Sequence, residues 1–405
     1  MVASRRDLMG ADTFYPLLPD EAARAPLLER SAELVAEGQR LPSAAGGITA
    51  ALSPLLRSVN SYYSNKIEGQ HTRPRDLQRA LEQEFDADLE QARKQRLAVA
   101  HIDAELALEA ALPSNRTELY ASSFVQSIHA ALYGRLTDAD RTTDEGEIIM
   151  PGAWRTSLVT AGRHLAPAPA GIVPLLGEWN RGYGGLPGLE QALLAAACSH
   201  HRLLWVHPFV DGNGRTARLH THLVLTALGV THGLWSPLRG MARDQEGYYA
   251  RLNNADLPRR NDLDGRGPLS QEELVAFARW LLELCLDQAR FMRDLLGLDQ
   301  LKGRLADLLR WLEAHPWPVG SESSVVKIEA LEALHYVAIS GPLERARFTA
   351  MTGLPPRTAR RVLASLLAFG VLREESPRSP VRFGIPLASL RFLFPKLWPE
   401  AESEV

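Results

Sequence analysis

Apolar positions in this chain recur mostly every three to four residues, a pattern that predicts a helical protein with few strands. Residues 21–41 read as an amphipathic helix that the small-residue run at 43–47 breaks. Leu55, Leu56, Val59, Tyr62, Tyr63 and Ile67 keep helical spacing up to Gly69, a natural helix stop. The stretch 72–112 is charged and Ala/Leu-rich, helical by composition, and reads as scaffold with solvated charges. A helix is expected over 114–134, capped by Ser114 or Asn115. Residues 151–162, rich in turn formers and β-branched side chains, predict a hairpin. The run 189–204 predicts a buried helix, and residues 268–315 one or two long amphipathic helices with Ser270 and Glu273 as a capping box.

Between two apolar helical runs lies HPFVDGNGRTAR, His207 to Arg218. Gly212 and Gly214 let a ligand approach the main chain, and a helix is expected to start near Gly214. The unpaired N–H groups of its first turn and its dipole favour an anion, usually phosphate. Arg215 and Arg218, three apart, share one helix face, which suits a polyphosphate. Asp211 can hold a Mg²⁺ that bridges phosphate oxygens, and His207 can take a proton near neutral pH. Together these groups point to phosphoryl or nucleotidyl transfer.

Composition narrows the setting. The chain has 405 residues, 45% hydrophobic and 23% charged, with a net charge of −3, so no global field marks a nucleic-acid or membrane binder. No window approaches the roughly 20 apolar residues of a membrane span, and residues 1–20 show no apolar leader, so a cytoplasmic location is expected. Cys198 and Cys285 sit in apolar helical runs and read as buried thiols. His200, His201, His220, His222 and His232 form no HExxH pattern and are assigned to helix surfaces or core edges.

The loop resembles the Fic family motif HxFx(D/E)GNGRxxR at each defined position: His207, Phe209, Asp211, Gly212, Asn213, Gly214, Arg215 and Arg218. The resemblance implies a mainly α fold, a helical bundle with a β-hairpin flap. It implies transfer of AMP from ATP to a Ser, Thr or Tyr hydroxyl of a target protein. His207 would deprotonate that hydroxyl, and Asp211 would hold Mg²⁺. Gly212, Asn213, Gly214, Arg215 and Arg218 would hold the phosphates. Tyr249 would line the nucleotide pocket, where relatives commonly add an asparagine seven residues on; this chain has Asp256, with Asn253 and Asn254 just before it. Ser64, Glu68 and Gly69 resemble the family's inhibitory motif (S/T)xxxE(G/N), which implies a Glu68–Arg218 pair that misplaces ATP, within one chain or across a homodimer. Arg155, Thr156 and Val159 fit the outline of the flap that docks a target peptide by adding a strand to it.

Past residue 316 a helix, a turn at Gly353, a second helix and an Arg/Pro/Ser hairpin resemble a winged helix-turn-helix. Arg357, Thr358, Arg360 and Arg361 crowd the start of its second helix and would face DNA or a protein partner. The division expected is 1–110, an N-terminal helical region with the inhibitory motif; 111–265, the catalytic core; 266–316, connecting helices; and 317–405, the winged helix-turn-helix. Two other functions fit the same residues. One is a DNA-binding regulator with a nucleotide-sensing domain; the other is a hydrolase that removes AMP.

Overall fold

The structure, a computed structural model, describes residues 13–143 and 146–403. It separates into two compact units. The first comprises the chain up to Gln39, Asn60–Thr72 and Asp76–Ala289; the second comprises Arg40–Val59, Arg73–Arg75 and the chain from Arg290 on.

In chain order the helices and first hairpin are α1 (Glu21–Ala45), α2 (Thr49–Ile67), α3 (Pro74–Leu81), α4 (Leu89–Ala110), α5 (Arg116–Leu119), α6 (Ser122–Tyr133), β1 (Thr160–Ala161), β2 (His164–Leu165), α7 (Ile172–Tyr183), α8 (Leu189–Val206), α9 (Asn213–Ala227), α10 (Leu238–Arg243), α11 (Gln245–Ala255) and α12 (Gln271–Leu296). The core of the first unit is a chain of packed pairs: α4 on α6, α6 on α9, α9 on α8 and α8 on α7. Helix α8 is buried along most of its length, which its Ala/Leu-rich sequence permits on every face. Cys198 and Cys285 are both buried, and burial pushes the Cys198 thiol up to about 12.

Local expectations shift in several places. Helix α1 runs on to Ala45, and the 43–47 break shrinks to a single 3-10 turn, Gly46–Ile48. The helix expected over 114–134 is two helices. Asn115 caps the first by accepting from Thr117 N–H, and the chain then turns at Tyr120, whose buried ring packs edge-on against Trp179. The hairpin sits further along than expected: Thr160–Ala161 pairs with His164–Leu165, so the second strand lies outside 151–162. The histidines also differ from expectation. His200, His201, His220 and His222 are buried, and His232 alone of the five is exposed. Each buried ring has a polar partner, for example Thr221 Oγ1 and Tyr248 OH on the two nitrogens of His200.

The second unit has its own core. After α13 (Leu298–Ala314) and the short hairpin β3 (Pro318–Val319) with β4 (Glu322–Ser323) come α14 (Leu331–Ser340), α15 (Arg345–Met351) and α16 (Pro356–Phe369). The pair β5 (Leu372–Arg373) and β6 (Arg382–Phe383) follows, then α17 (Leu390–Leu393) and α18 (Pro399–Glu402). The amphipathic α16 buries Ala359, Val362, Leu363 and Leu366 and leaves Arg357, Arg360 and Arg361 exposed. Among the described residues no helix is long and apolar enough to cross a membrane.

Candidate active site

The loop between α8 and α9 is held in place from several sides. Helix α8 ends at His207, whose φ of 47° is left-handed. A non-glycine residue there costs roughly 1–2 kcal/mol, so its surroundings must enforce it. Arg155 does much of this. It is buried; its Nε donates to the His207 carbonyl at 2.7 Å and its backbone N–H to the Pro208 carbonyl at 2.9 Å. Its remaining nitrogens donate to the carbonyls of Ser157 and Pro167. Arg155 therefore ties the hairpin segment to the loop, and the docking role expected of it is corrected: the guanidinium is consumed internally. Thr156 is exposed and Val159 half-buried.

Asn213 also has a part in holding the loop. Its Oδ1 accepts from Phe209 N–H and its Nδ2 donates to the Phe209 carbonyl, both at 2.9 Å. The amide closes the loop on itself, spending one N–H and one lone pair on the Phe209 main chain. Phe209 is fully buried and stacks on His129 at 3.8 Å between ring centroids. His129 Nδ1 accepts from Gly152 N–H at 2.9 Å, which assigns the proton to Nε2, and Nε2 donates to the Asp211 carbonyl at 3.2 Å. No motif spacing marked His129, since it reaches the loop from α6. Gly212, with φ 78°, opens α9; a Cβ there would collide with the Tyr133 phenol.

The charges are arranged around this fixed loop. Burial pushes the His207 imidazole down to about 4, so the ring is neutral at pH 7. Its Nδ1 lies 3.2 Å from the Leu204 carbonyl, which can only accept; the proton is thus assigned to Nδ1, leaving Nε2 as a base. The Asp211 carboxylate is half-exposed: Oδ1 accepts from Gly212 N–H at 2.6 Å and Oδ2 lies 3.4 Å from Arg215. Arg215 is buried over the Tyr133 ring, 5.3 Å from its centroid.

Arg218 is in a different state. It is buried, and its Nε donates to Ser64 Oγ at 3.2 Å. One terminal nitrogen donates to the Ser64 carbonyl at 3.0 Å and to Glu68 Oε1 at 2.5 Å. Burial works against the guanidinium charge, but Glu68 outweighs it and the pKa is raised. The same Glu68 oxygen sits over the first turn of α9, where a Cβ on Gly214 would collide with it. A carboxylate thus occupies the helix-end anion site and the second arginine at once, within one chain. Gly69, with φ 70°, ends α2, and Tyr249 OH and Gln245 Nε2 each donate to the Ile67 carbonyl at 3.0 Å.

A pocket of about 400 Å³ opens here, lined among others by Glu68, His207, Gly214, Arg218, Tyr249 and Asp256. At 22% side-chain exposure Asp256 pairs with His201 at 3.0 Å, and its pKa is lowered despite its burial. A neighbouring groove of about 450 Å³ is lined by Ser157, Leu158, Val159 and Thr160. Asp211 borders both cavities.

Comparison with known proteins agrees with this geometry. Residues 120–225 match the sequence profile of the Fic/DOC family. A protein named protein adenylyltransferase Fic from Nematostella vectensis is 26% identical over 216 residues, 52% of this chain and 47% of its own length. The protein of the same name from Drosophila melanogaster is 31% identical over 109 residues, 27% of this chain and 22% of its own. The matched stretches thus span less than half of these relatives. The crystal structure of a Fic family protein from Desulfovibrio desulfuricans G20 superposes with a TM-score of 0.51 over 92% of this chain and 99% of its own, at 16% identity, a likeness of fold.

Proposed function

This chain belongs to the Fic family, and from that premise we propose that it is a protein adenylyltransferase. It moves AMP from ATP onto a Ser, Thr or Tyr hydroxyl of a target protein and is held off by its own Glu68. One observation carries the reading: a neutral His207 base stands at the mouth of a helix-end anion site with Arg215 and Arg218.

The residues fit both absent groups. Gly214 provides a cradle that any Cβ would fill, and the pocket volume lies within the range of small-ligand sites. The half-exposed Asp211 carboxylate offers a hard oxygen to Mg²⁺, which, when bound, would neutralise phosphate charge. In the proposed reaction His207 Nε2 takes the hydroxyl proton while that oxygen bonds the α-phosphorus. The bond from the α-phosphorus to the bridging oxygen breaks and pyrophosphate leaves. Arg215 and the first N–H groups of α9 stabilise the charge. A target strand would lie along Ser157–Thr160, which brings its hydroxyl to the Asp211 border of the two cavities. Glu68 on Arg218 would take the place of the terminal phosphate and misalign the α-phosphate.

The test is incubation with ATP radiolabelled at the α-phosphate. The expected result is weak self-labelling of the natural protein, strong labelling of Glu68→Gly and none in His207→Ala. Label that persists without His207 would remove it as base, and absence of label in each form would remove the activity.

The second unit supports an added reading as a DNA-binding winged helix. Helices α14, α15 and α16 are followed by the β5–β6 hairpin, and Arg357 and Arg360 are exposed at the start of α16. Arg361 is 2.9 Å from Glu322 and is partly neutralised. Retention of duplex DNA at physiological salt tests it; retention lost there would mark non-specific contact.

A further inference from the structure

Behind the anion site, α4 and α9 bring together a second set of ionisable side chains. His101, Glu105 and Glu109 are four apart on α4 and therefore share one face. His222 comes from α9, four residues after Arg218. Ligating atoms of Glu105, Glu109 and His222 all lie within 4.8 Å of one another. His222 Nε2 is 3.1 Å from Glu109 Oε1 and 3.5 Å from Glu105 Oε1. A tetrahedral ion with bonds of roughly 2.0–2.1 Å has ligand-to-ligand edges of roughly 3.3 Å, and the two edges from His222 match it.

A second observation is independent of those three residues. His101 is 1% exposed, and neither of its ring nitrogens has a hydrogen-bond partner among the described residues. Its Nδ1 borders the cluster, 3.8 Å from Glu105 Oε2. A buried imidazole with both nitrogens unmatched is costly unless something else satisfies it.

We propose that Glu105, Glu109 and His222, beside the unmatched His101 imidazole, bind one divalent transition-metal ion, and that this ion fastens α2 to the core. Imidazole nitrogens with carboxylate oxygens and no thiolate suit zinc, and also manganese or ferrous iron. The link to α2 is Asn60, whose Nδ2 donates to Glu105 Oε1 at 2.8 Å, the second-layer contact that orients a ligating carboxylate. Ser64 and Glu68 follow Asn60 by one and two turns. An ion here would thus join the helix carrying Arg218 to the helix whose end covers Arg218. That consequence rests on the proposed inhibition by Glu68; the binding of the ion does not.

The full chain, stripped with a chelator, is titrated with zinc by calorimetry and with cobalt(II) by visible absorption. The expected result is one equivalent bound, a cobalt band of low coordination number, a higher Tm and slower hydrogen exchange in α2 from Asn60 to Ile67. His222→Ala should weaken binding about 100-fold or more and Asn60→Ala about 10-fold, whereas Asp211→Ala should keep the full equivalent. Glu109→Gln, nearer the surface, serves if His222→Ala fails to fold. No binding by the natural chain, or binding unchanged in both cluster variants, overturns the site. Binding that leaves exchange in α2 unchanged overturns the fastening role. These readouts stand apart from AMP transfer, so failure of one does not mimic failure of the other.

Discussion

Two stretches meet at the start of α9, and they are held very differently. The 207–213 loop is fastened from within the core by Arg155, Asn213, His129 and the Phe209 ring, each engaging the main chain or its packing. The end of α2 is packed through Tyr62, Tyr63 and Ile67, but the Glu68 carboxylate just beyond it is held over Arg218 by one charge pair. The first arrangement suits groups that should not move during a reaction. The second suits the displacement that the proposed inhibition by Glu68 would require. On the proposed inhibition, the Glu68 carboxylate would leave when a better anion and a cation arrive together, while the loop beneath it stays in place.

The widest contrast should come from acid. Burial pushes His129, His207 and His220 down to about 4, against roughly 6.5 in an unfolded chain. Between those values the folded protein binds fewer protons than the unfolded chain, so stability present above pH 6.5 is lost as pH falls toward 4. Each histidine contributes up to about 1.4 kcal/mol per pH unit, and chemical denaturation across that range should show the steep loss. A flat profile would mean that the loop is not fastened by neutral imidazoles.

Within the loop the test is Asn213→Ala. It frees Phe209 N–H and C=O and should lower AMP transfer about 100-fold, chiefly in kcat, as a displaced catalytic group does; a selective rise in KM would instead mark Asn213 as a phosphate ligand. Glu68→Gly should lower Tm without nucleotide, because a buried Arg218 loses its counter-charge, at a cost of about 3–5 kcal/mol. ATP with Mg²⁺ should recover more of that loss than it adds to the natural chain. Equal shifts would show that phosphate does not reach Arg218. The smallest effect belongs to Tyr249→Phe, which removes one hydrogen bond from the end of α2, worth about 1 kcal/mol. It should raise self-labelling a few-fold, and no rise would place the hold on α2 elsewhere.

Much of the site was legible in the sequence because its chemistry is written in adjacent residues. His207, Asp211, Arg215 and Arg218 stand together at the start of α9, and Glu68 meets Arg218 as its motif implied. What escaped depends on partners remote in sequence. The reason Asn213 and Arg155 are needed lies in the carbonyls and N–H groups they satisfy, which only the fold brings near. His129 is 82 residues from the carbonyl it holds. The hairpin slipped because two-residue strands carry too short an alternation to fix a register. The histidines differ because polar rings ordinarily seek solvent, whereas α8 and α9 bury them with dedicated partners.

Gly214 bears on which mutations could relieve the proposed inhibition by Glu68. The space left by its missing Cβ holds the Glu68 carboxylate now, and in the proposed reaction the nucleotide would need the same space. A methyl group at 214 would evict occupant and successor alike. On the proposed inhibition, releasing variants should therefore arise at the end of α2 and at the side chains that hold it, such as Tyr249, and not at Gly214.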